Sequence, residues 1–368
     1  MRRRAYLFLL APLLLLAGGC GYDSEEMEVA RLKLWQAVGA DEAEDVAAPA
    51  PVVHGADRRV IWALSVWGRS RPLTAGIERL ADRVLEETGG KFTIDIHYDA
   101  ALSAPADHLR GLSSGRFEAA VTCLGLTAGA TPIAAGLDLP FLPFEDLDRQ
   151  ARVQGRLLRH HAVQAELAAW NAALLMPMPM PPVEFVGRGL PPREAGDWRG
   201  LRVAASGGVA AALSALGAYP VAVAYRDLRD ALAAGDVDAV ALPYAEHVTA
   251  GTHEAASWYT AGWSPGAPSC PLLMAESAWQ ALPEHYRRAL TAALGDAHGA
   301  LAAAMASAEV EAVRRFANRE LIPINYPPAL RAEFAAMAKP LWDSWLHDVE
   351  ARQLSGRTLL RLMLEPAG

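Results

Sequence analysis

A series of strand, helix and strand patterns occurs twice along this chain of 368 residues. In the first copy, an apolar run at 60–66 precedes an amphipathic segment at 73–88, and residues 92–98 then alternate apolar and polar side chains. Apolar spacing of three to four residues predicts a helix, and a period of two predicts a strand with one buried face. After a further helix, 119–123 reads as another strand. Such a series favours an α/β fold with a largely parallel sheet.

The second copy begins near residue 201. Extended segments at 201–204, 219–224 and 237–242 alternate with helical segments that stop at Gly217 and Gly235. Glycine is the residue that helix C-termini prefer, so the two stops fit helix ends. Two copies of the pattern therefore predict two α/β lobes.

A long stretch rich in Ala and Arg follows Pro283 and continues to about residue 319 with few helix breakers. At about 1.5 Å of rise per residue, one helix of that length is long enough to reach from one lobe to the other. We therefore expect a single long helix that spans both lobes.

The first residues have the features of a secretory signal. Three arginines at 2–4 precede an apolar run at 5–16, and small residues lead to Cys20. The cysteine makes the segment resemble a bacterial lipoprotein signal, in which the thiol is lipidated and becomes the new N-terminus. An ordinary cleaved signal and an uncleaved anchor are the alternatives. All three interpretations place the remaining chain outside the cytoplasm, in a periplasmic location for the lipid-anchored form.

Composition narrows the class of protein further. Hydrophobic residues make up 52% of the chain, which is enough for sizeable cores. The net charge of −8 argues against nucleic acid as a partner. After the signal no apolar run is long enough to span a bilayer. Cys123 and Cys270 either form one disulfide in an oxidising compartment or remain two buried thiols.

These patterns give a set of expected domain boundaries. We expect residues 1–19 to be the lipoprotein signal and 20–58 a tether with a stiff Ala- and Pro-rich part. Lobe 1 is expected at 59–180 together with about 270–310, and lobe 2 at 181–269 together with about 311–350. A C-terminal tail or helix is expected at 351–368.

Five short segments resemble those of one known family, the DctP-type solute-binding proteins of TRAP transporters. They have the family's order and plausible spacings, and the resemblance covers roughly residues 60–345. The segments are Glu-Thr-Gly-Gly-Lys at 87–91, Leu-Pro-Phe-Leu at 139–142, Asp-Trp-Arg-Gly-Leu at 197–201, Leu-Ala-Ala-Gly-Asp-Val-Asp-Ala at 232–239, and Trp-Gln-Ala-Leu-Pro at 279–283.

The resemblance implies a two-lobe periplasmic-binding-protein fold, type II-like, with a long helix along both lobes. Such proteins close on a small solute between the lobes and deliver it to the membrane subunits of a TRAP permease. They perform no chemistry, so the chain is not expected to be an enzyme or to need a metal or another cofactor. Most ligands of the family are organic acids. No catalytic motif is recognisable in the sequence.

The family grips its ligand with an arginine on the strand after the Asp-Trp-Arg-Gly-Leu segment. A guanidinium matches a carboxylate with two charge-assisted hydrogen bonds. Counting forward from Asp197 places this position at Ala204, whereas counting back from Gly217 and later landmarks places it at Arg202. We expect Arg202 to be the clamp, and the alternative is that Arg202 is a surface strand residue and the clamp is lost.

Two other positions where the family carries polar ligand contacts are apolar in this chain, at Val183 and Leu242. The run Met-Pro-Met-Pro-Met-Pro-Pro at 176–182 suits either a bulky apolar ligand at a cleft edge or a rigid hinge. These departures argue against a small dicarboxylate. A bulkier monocarboxylate and an uncharged apolar solute both remain open.

Further candidate contacts follow the strands. Trp67 and Arg69 follow the first strand and offer a flat apolar wall and a cation. Cys123 ends a strand in the first lobe, and Tyr244 follows a strand in the second. Ligands gather beyond the carboxyl ends of parallel strands, so all four are candidates.

Two functions from different classes fit these observations. The first is a lipid-anchored solute receptor of a TRAP-type uptake system, which binds a small organic acid by hinge closure. The second is a lipid-anchored carrier or scaffold that binds an uncharged or apolar small molecule and passes it to partner proteins.

Overall fold

The computed structural model describes residues 58–69, 71–144 and 146–364. The expected signal, Cys20 and nearly all of the tether lie outside the described residues. Eleven strands are found in this described part: β1 (Val60–Ser65), β2 (Phe92–His97), β3 (Ala119–Val121), β4 (Ala172–Met176), β5 (Glu184–Gly187), β6 (Arg202–Ala204), β7 (Tyr219–Val221), β8 (Ala239–Leu242), β9 (Trp258–Ala261), β10 (Leu272–Ala275) and β11 (Ile322–Asn325).

Eleven α-helices accompany the strands in the same part of the chain. They are α1 (Arg71–Glu87), α2 (His108–Ser113), α3 (Leu147–Leu158), α4 (His161–Ala168), α5 (Gly207–Ala215), α6 (Leu228–Ala234), α7 (Tyr244–Thr249), α8 (Glu276–Ala281), α9 (Glu284–Asn318), α10 (Pro328–Ala351) and α11 (Gly356–Leu364). Short 3₁₀ turns fill several of the connections.

The strands form two sheets, and each sheet defines a lobe. Lobe 1 has five strands in the order β2-β1-β3-β10-β4, and lobe 2 has six in the order β11-β9-β5-β8-β6-β7. Neighbouring strands within each βαβ series run parallel, as in the pairs β1–β2, β1–β3, β6–β7 and β6–β8. The predicted α/β architecture of two lobes is confirmed.

Both sheets are more mixed than the expected largely parallel sheet. Strand β10 runs antiparallel to β3 and β4, and β5 runs antiparallel to β8 and β9. The chain crosses between the lobes after β4 and again after β9. A strand that enters a sheet directly from the other lobe needs no crossover helix, so it can pair in either direction.

Helix α9 is the predicted long helix and contains 35 residues. Leu290 and Leu301 pack in the core of lobe 1, and Phe316 near its end packs in a core of lobe 2. Helix α1 lies against it at Gly76, where a Cβ would be only 2.8 Å from the Leu301 Cβ. The absent side chain therefore permits the close approach of these two helices. The expected helix that spans both lobes is confirmed.

Helix α10 also contacts both lobes. Phe334 is buried in the lobe 2 core, whereas Trp345 is buried in a lobe 1 core and its Nε1 donates to the Pro132 carbonyl at 3.0 Å. Across the described ranges, no helix is both long and apolar enough to cross a membrane.

Candidate functional site

The carboxyl ends of the parallel strands of both lobes meet at one junction. The Trp67 ring, just after β1, contacts the Tyr225 ring, which follows β7 in lobe 2, with 5.1 Å between centroids at an angle of 70°. Gly68 lies beside Tyr225, and a Cβ there would already be 3.8 Å from its ring. We call this region the interlobe site. Two aromatic rings, one from each lobe, form its centre.

Tyr225 is held on the lobe 2 side by a buried carboxylate. Its hydroxyl donates to Oε2 of Glu246 at 2.6 Å, and Glu246 is 1% exposed. Burial, with the nearby Glu246 carboxylate, raises the pKa of Tyr225 above its ordinary value. The phenol therefore stays protonated and acts as a donor, which fixes the ring that faces Trp67.

Tyr244 and Glu309 lie next to this pair. The Tyr244 hydroxyl donates to the Thr260 carbonyl at 2.8 Å, and Oε1 of Glu309 on α9 accepts from the Ala245 N–H at 2.9 Å. Burial raises the pKa of Glu309 to about 7, and the neighbouring acids Glu246 and Glu184 add to the shift. The long helix thus contacts the same edge of lobe 2 through a carboxyl group that titrates near neutral pH.

Glu184 opens β5 directly opposite Leu242 and is a further buried acid at this edge. It accepts from the Thr260 hydroxyl at 2.6 Å and from the N–H and hydroxyl of Ser264 at 3.0 and 3.1 Å. Burial raises its pKa, although these donors oppose the shift. Glu184 was not predicted from the sequence, because the family position that was matched there is the preceding residue, Val183.

A second contact between the lobes is made by Asp138 of lobe 1. Its carboxylate accepts from the Gly208 N–H of lobe 2 at 3.1 Å and from the Ser269 N–H at 3.4 Å. A Cβ at Gly125 or at Gly207 would collide with this carboxylate, so both glycines make the approach possible. Burial raises the pKa of Asp138. The lobes are therefore in direct contact around a buried carboxyl group at the start of α5.

Among the buried polar atoms that have no hydrogen-bond partner within the described residues, three lie just after β1, just after β3 or beside the end of β3. They are Nε1 of Trp67, Oγ1 of Thr122 and Oγ of Ser269. Thr122 follows β3, and Ser269 lies beside it because the Leu124 N–H donates to the Ser269 carbonyl. Buried polar groups in proteins are nearly always paired, so each of these atoms lacks a partner that a molecule bound between the lobes could supply.

Arg69 is the predicted cation at the rim of the interlobe site. Its guanidinium lies 4.5 Å from the centroid of the Tyr98 ring, and its Nε is 3.8 Å from Oδ2 of Asp99. The two charged side chains are 69% and 66% exposed, so this ion pair is weak and easily exchanged. Arg69 can therefore turn toward a ligand carboxylate at low cost.

The structure places Arg202 at the amino ends of the parallel strands of lobe 2, opposite to the ends that face the interlobe site. It begins β6, and its Nη2 and Nε donate to Oδ1 and Oδ2 of Asp238 at 2.7 and 3.2 Å. Asp238 directly precedes β8, whose carboxyl end leads to Tyr244. The clamp role of Arg202 stays a prediction, and its placement and its bidentate partner do not favour it.

The other matched positions are largely enclosed by the protein. Val183 and Ala204 are buried in the two cores of lobe 2. Leu242 is half-buried against the same core as Ala204. A ligand contact at Val183, Ala204 or Leu242 stays a prediction, and for the first two it would require the core to open.

Cys123 is joined to Cys270 by a disulfide. Cys270 lies in the connection from β9 to β10, so the bond ties this crossing between the lobes to the end of β3. The Met residues of the 176–182 run have buried side chains in the lobe 1 core. The rigid connection is thus the better interpretation of that run, and a ligand contact by Cys123 stays a prediction.

The structure brings Trp67, Arg69 and Tyr244 to the edges that face the interlobe site, and it adds Tyr225, Glu246 and Glu184, which the sequence analysis missed. Tyr225 had a usable signal. It follows a short parallel strand by a few residues, which is the location where ligand contacts gather.

The family comparison agrees with this fold. The family model described as bacterial extracellular solute-binding protein, family 7 (DctP), matches residues 64–348. The chain therefore belongs to this family, and the prediction made from five short segments is confirmed. A curated relative from Chromohalobacter salexigens, named solute-binding protein, is 25% identical over 230 residues, which is 62% of this chain and 68% of the relative.

Solved structures of similar fold include three with named ligands. A TRAP solute-binding protein from Rhodoferax ferrireducens with copurified benzoate is 22% identical, with a TM-score of 0.75 over 83% of this chain and 96% of that one. One from Desulfovibrio salexigens with bound orotic acid has 20% identity, a TM-score of 0.75, and coverage of 83% and 97%. A Bordetella pertussis receptor binding pyroglutamic acid has 19% identity, a TM-score of 0.74, and coverage of 83% and 100%. At these identities the likeness establishes the fold.

Proposed function

We propose that the chain is the periplasmic solute receptor of a TRAP-type uptake system and that it binds a small organic monocarboxylate with a flat or apolar body. The observation that carries the proposal is the unpaired indole N–H of Trp67, beside the Tyr225 ring and close in sequence to the exposed cation Arg69. The two rings supply apolar walls, and the indole N–H and the guanidinium supply donors for one carboxylate. The aromatic acids bound by two similar structures support this ligand class.

The acids behind Tyr225 limit the ligand to one negative charge. Glu246, Glu184 and Glu309 lie on the lobe 2 side, where a second ligand carboxylate would point. A second ligand carboxylate there would be repelled by ionised acids, and it could be admitted only if Glu184 or Glu309, whose pKa values are raised, also bound a proton. A dicarboxylate is therefore disfavoured, in agreement with the apolar positions noted in the sequence.

Binding is proposed to shift the two lobes from an open toward a closed arrangement. The proposal assigns the interlobe contacts Trp67–Tyr225 and Asp138–Gly208 to the closed arrangement. Delivery to the membrane subunits of a TRAP permease is part of the proposal. Adjacent genes for a large many-helix permease and a small four-helix subunit would support it, and their absence would argue for the carrier.

The ligand class is tested by mass spectrometry of molecules that copurify with the full chain, followed by calorimetry with benzoate, orotate and pyroglutamate. Trp67→Ala should weaken binding by about tenfold or more, because it removes a stacking wall and a donor. Trp279→Ala is the matched control, since Trp279 is a half-buried lobe 1 tryptophan on α8. Equal affinity of wild type and Trp67→Ala for every acid would refute the proposed site.

The alternative function is a carrier for an uncharged or apolar molecule. The engagement of Arg202 by Asp238 favours it, because the guanidinium expected to bind a carboxylate is already paired. Benzamide separates the two functions because it keeps the shape of benzoate without its charge. The receptor proposal predicts that benzoate binds about tenfold or more tightly than benzamide. Equal binding of the two would favour the carrier.

Lipid anchoring through Cys20 is proposed from the sequence alone. Labelling of cells with a radioactive fatty acid should mark the wild-type chain and leave Cys20→Ser unlabelled. Label in both chains, or in neither, would refute lipidation of Cys20 and leave an ordinary cleaved signal and an uncleaved anchor as the alternatives.

A further inference from the structure

A pocket of about 840 Å³ lies on lobe 1 where the chain leaves β4 for lobe 2. Its walls are helix α3, the end of β4 with Pro177, and the middle of α9. Leu175, Met176 and Leu294 supply an apolar part. Sites for small molecules commonly have volumes in this range and combine apolar walls with a few charged groups.

The charged groups of this pocket are mostly cations. Arg152 and Arg156 line it from α3 and Arg159 from the residue that ends this helix, and their spacing of four and three residues puts them on one face. His298 lies beside them on α9, and Asp148 is the one acid among the lining residues, with its Oδ1 3.9 Å from Nε2 of His298. On a chain with a net charge of −8, this is a local excess of positive charge.

Two glycines give the pocket its space. Nη1 of Arg159 donates to the Gly155 carbonyl at 3.3 Å, and a Cβ at Gly155 would lie only 2.7 Å from that nitrogen. A Cβ at Gly295, on the α9 wall, would meet nothing within 4 Å. The first glycine lets Arg159 lie across α3, and the second leaves the opposite wall open.

We propose that this arginine pocket binds an anion that carries an apolar body. The carboxylate or phosphate group would lie against Arg152 and Arg159, because guanidinium groups match the oxygens of both anions. The alkyl or aromatic part would pack on Leu175 and Leu294. The pocket is built on α3 and α9, apart from Trp67 and Tyr225, so it is a second site that does not depend on the proposed ligand of the interlobe site.

Calorimetry of the full chain with hexyl phosphate tests the pocket. Gly295→Leu fills it without changing any charge and should weaken binding by about tenfold or more. Gly299→Leu is the matched control, because Gly299 also has open space on α9 but does not line the pocket. Both changes raise helix propensity, so both chains should fold.

Two further variants test whether the arginines bind the anion and whether the anion binds in this pocket rather than in the interlobe site. The double variant Arg152→Gln/Arg159→Gln should also weaken binding by about tenfold or more, whereas Trp67→Ala should leave it unchanged. The proposal is overturned by any one of three results: no binding to the wild type, equal losses in Gly295→Leu and Gly299→Leu, or loss of binding in Trp67→Ala.

The anion has two possible sources, a free amphiphilic acid or a phospholipid headgroup. Sedimentation with phosphatidylglycerol vesicles, compared with phosphatidylcholine vesicles, distinguishes them, and any anchor is common to the wild type and Gly295→Leu. Weaker sedimentation of Gly295→Leu with phosphatidylglycerol alone identifies the headgroup. Equal sedimentation, with the calorimetric loss retained, identifies the free acid.

Discussion

A polar pair lies at each end of the parallel strands of the lobe 2 sheet, and the two pairs differ in their exposure to solvent. We call these two ends the amino edge and the carboxyl edge. At the amino edge, Arg202 and Asp238 pair with side chains that are 45% and 32% exposed. At the carboxyl edge, the Tyr225 hydroxyl pairs with Glu246, which is almost entirely buried. Residue type alone therefore does not identify a binding residue. An arginine of the right kind lies at the edge that faces water, whereas an unremarked tyrosine lies at the edge that faces the other lobe.

The physical consequences of the two pairs differ for the same reason. Water screens an exposed ion pair and competes for its hydrogen bonds, so breaking the pair changes little. A buried acceptor that loses its donor cannot recover the bond from water. Substitutions at the carboxyl edge should therefore have larger effects than substitutions at the amino edge.

The largest effect is expected for Tyr225→Ala. This change removes both the ring against Trp67 and a donor to Glu246, so the affinity for the copurified ligand should fall by about tenfold or more. Calorimetry measures the affinity, and a thermal scan should show a lower Tm. An affinity within about twofold of the wild type would show that the carboxyl edge does not bind the ligand.

A smaller effect is expected for Tyr225→Phe, which keeps the ring and removes the hydroxyl. The free energy of unfolding should fall by about 1–2 kcal/mol because Glu246 loses a buried donor. Urea unfolding measures this loss, and ligand affinity should exceed that of Tyr225→Ala. Unchanged stability would indicate that the buried pair contributes no more than an exposed one.

The pH dependence of stability should differ between the wild type and Glu309→Gln. In the folded chain the pKa of Glu309 is raised from 4.5 to about 7, so its contribution is complete below about pH 4.5 and is lost as the pH rises through about 7. Glutamine does not titrate and can still accept from the Ala245 N–H. The stability of the variant relative to the wild type should therefore rise from about pH 4.5 to about pH 8, by at most about 3 kcal/mol.

Urea unfolding of both chains at several pH values checks this expectation. Burial lowers the pKa values of His108 and His247, so their contribution to stability changes with pH in the opposite sense. Both chains contain these histidines, so their contribution cancels in the difference between the chains. If the difference in the free energy of unfolding between the two chains did not change with pH, the pKa of Glu309 would not be raised by folding.

The smallest effect is expected for Arg202→Ala. The ion pair with Asp238 is exposed, so we expect Tm to fall by about 2 °C or less and ligand affinity to stay within about twofold. Calorimetry and a thermal scan measure both quantities. A loss of affinity as large as that of Tyr225→Ala would restore Arg202 as the clamp and reverse the order of the two edges.

The sequence predicted the regular parts of the fold well. The strand expected at 60–66 is β1 at Val60–Ser65, and the helix expected from Pro283 to about 319 is α9 at Glu284–Asn318. Both have strong local patterns, a continuous apolar run and a long stretch of helix formers. The strands next to the crossings between lobes, such as β5 and β10, were not predicted because they lie outside the two βαβ series on which the predictions rested.

The site was less predictable because its contacts join distant parts of the chain. Trp67 was proposed from its place after β1, but its partner Tyr225 comes from the other lobe, and no local pattern relates the two positions. Arg202 was favoured by residue type and by counting from motifs. Neither signal shows that Asp238, directly before the neighbouring strand β8, is in register to accept from its guanidinium.

The Cys123–Cys270 bond closes a covalent ring through a sequence separation of 147 residues. Strands β4 to β9 all lie inside this ring, so most of the second lobe is an insertion fastened at its base. A single protease cut within the ring would leave the two fragments attached to each other, and the nicked receptor would separate only after reduction. The receptor can therefore tolerate damage to one lobe in an oxidising compartment without shedding it.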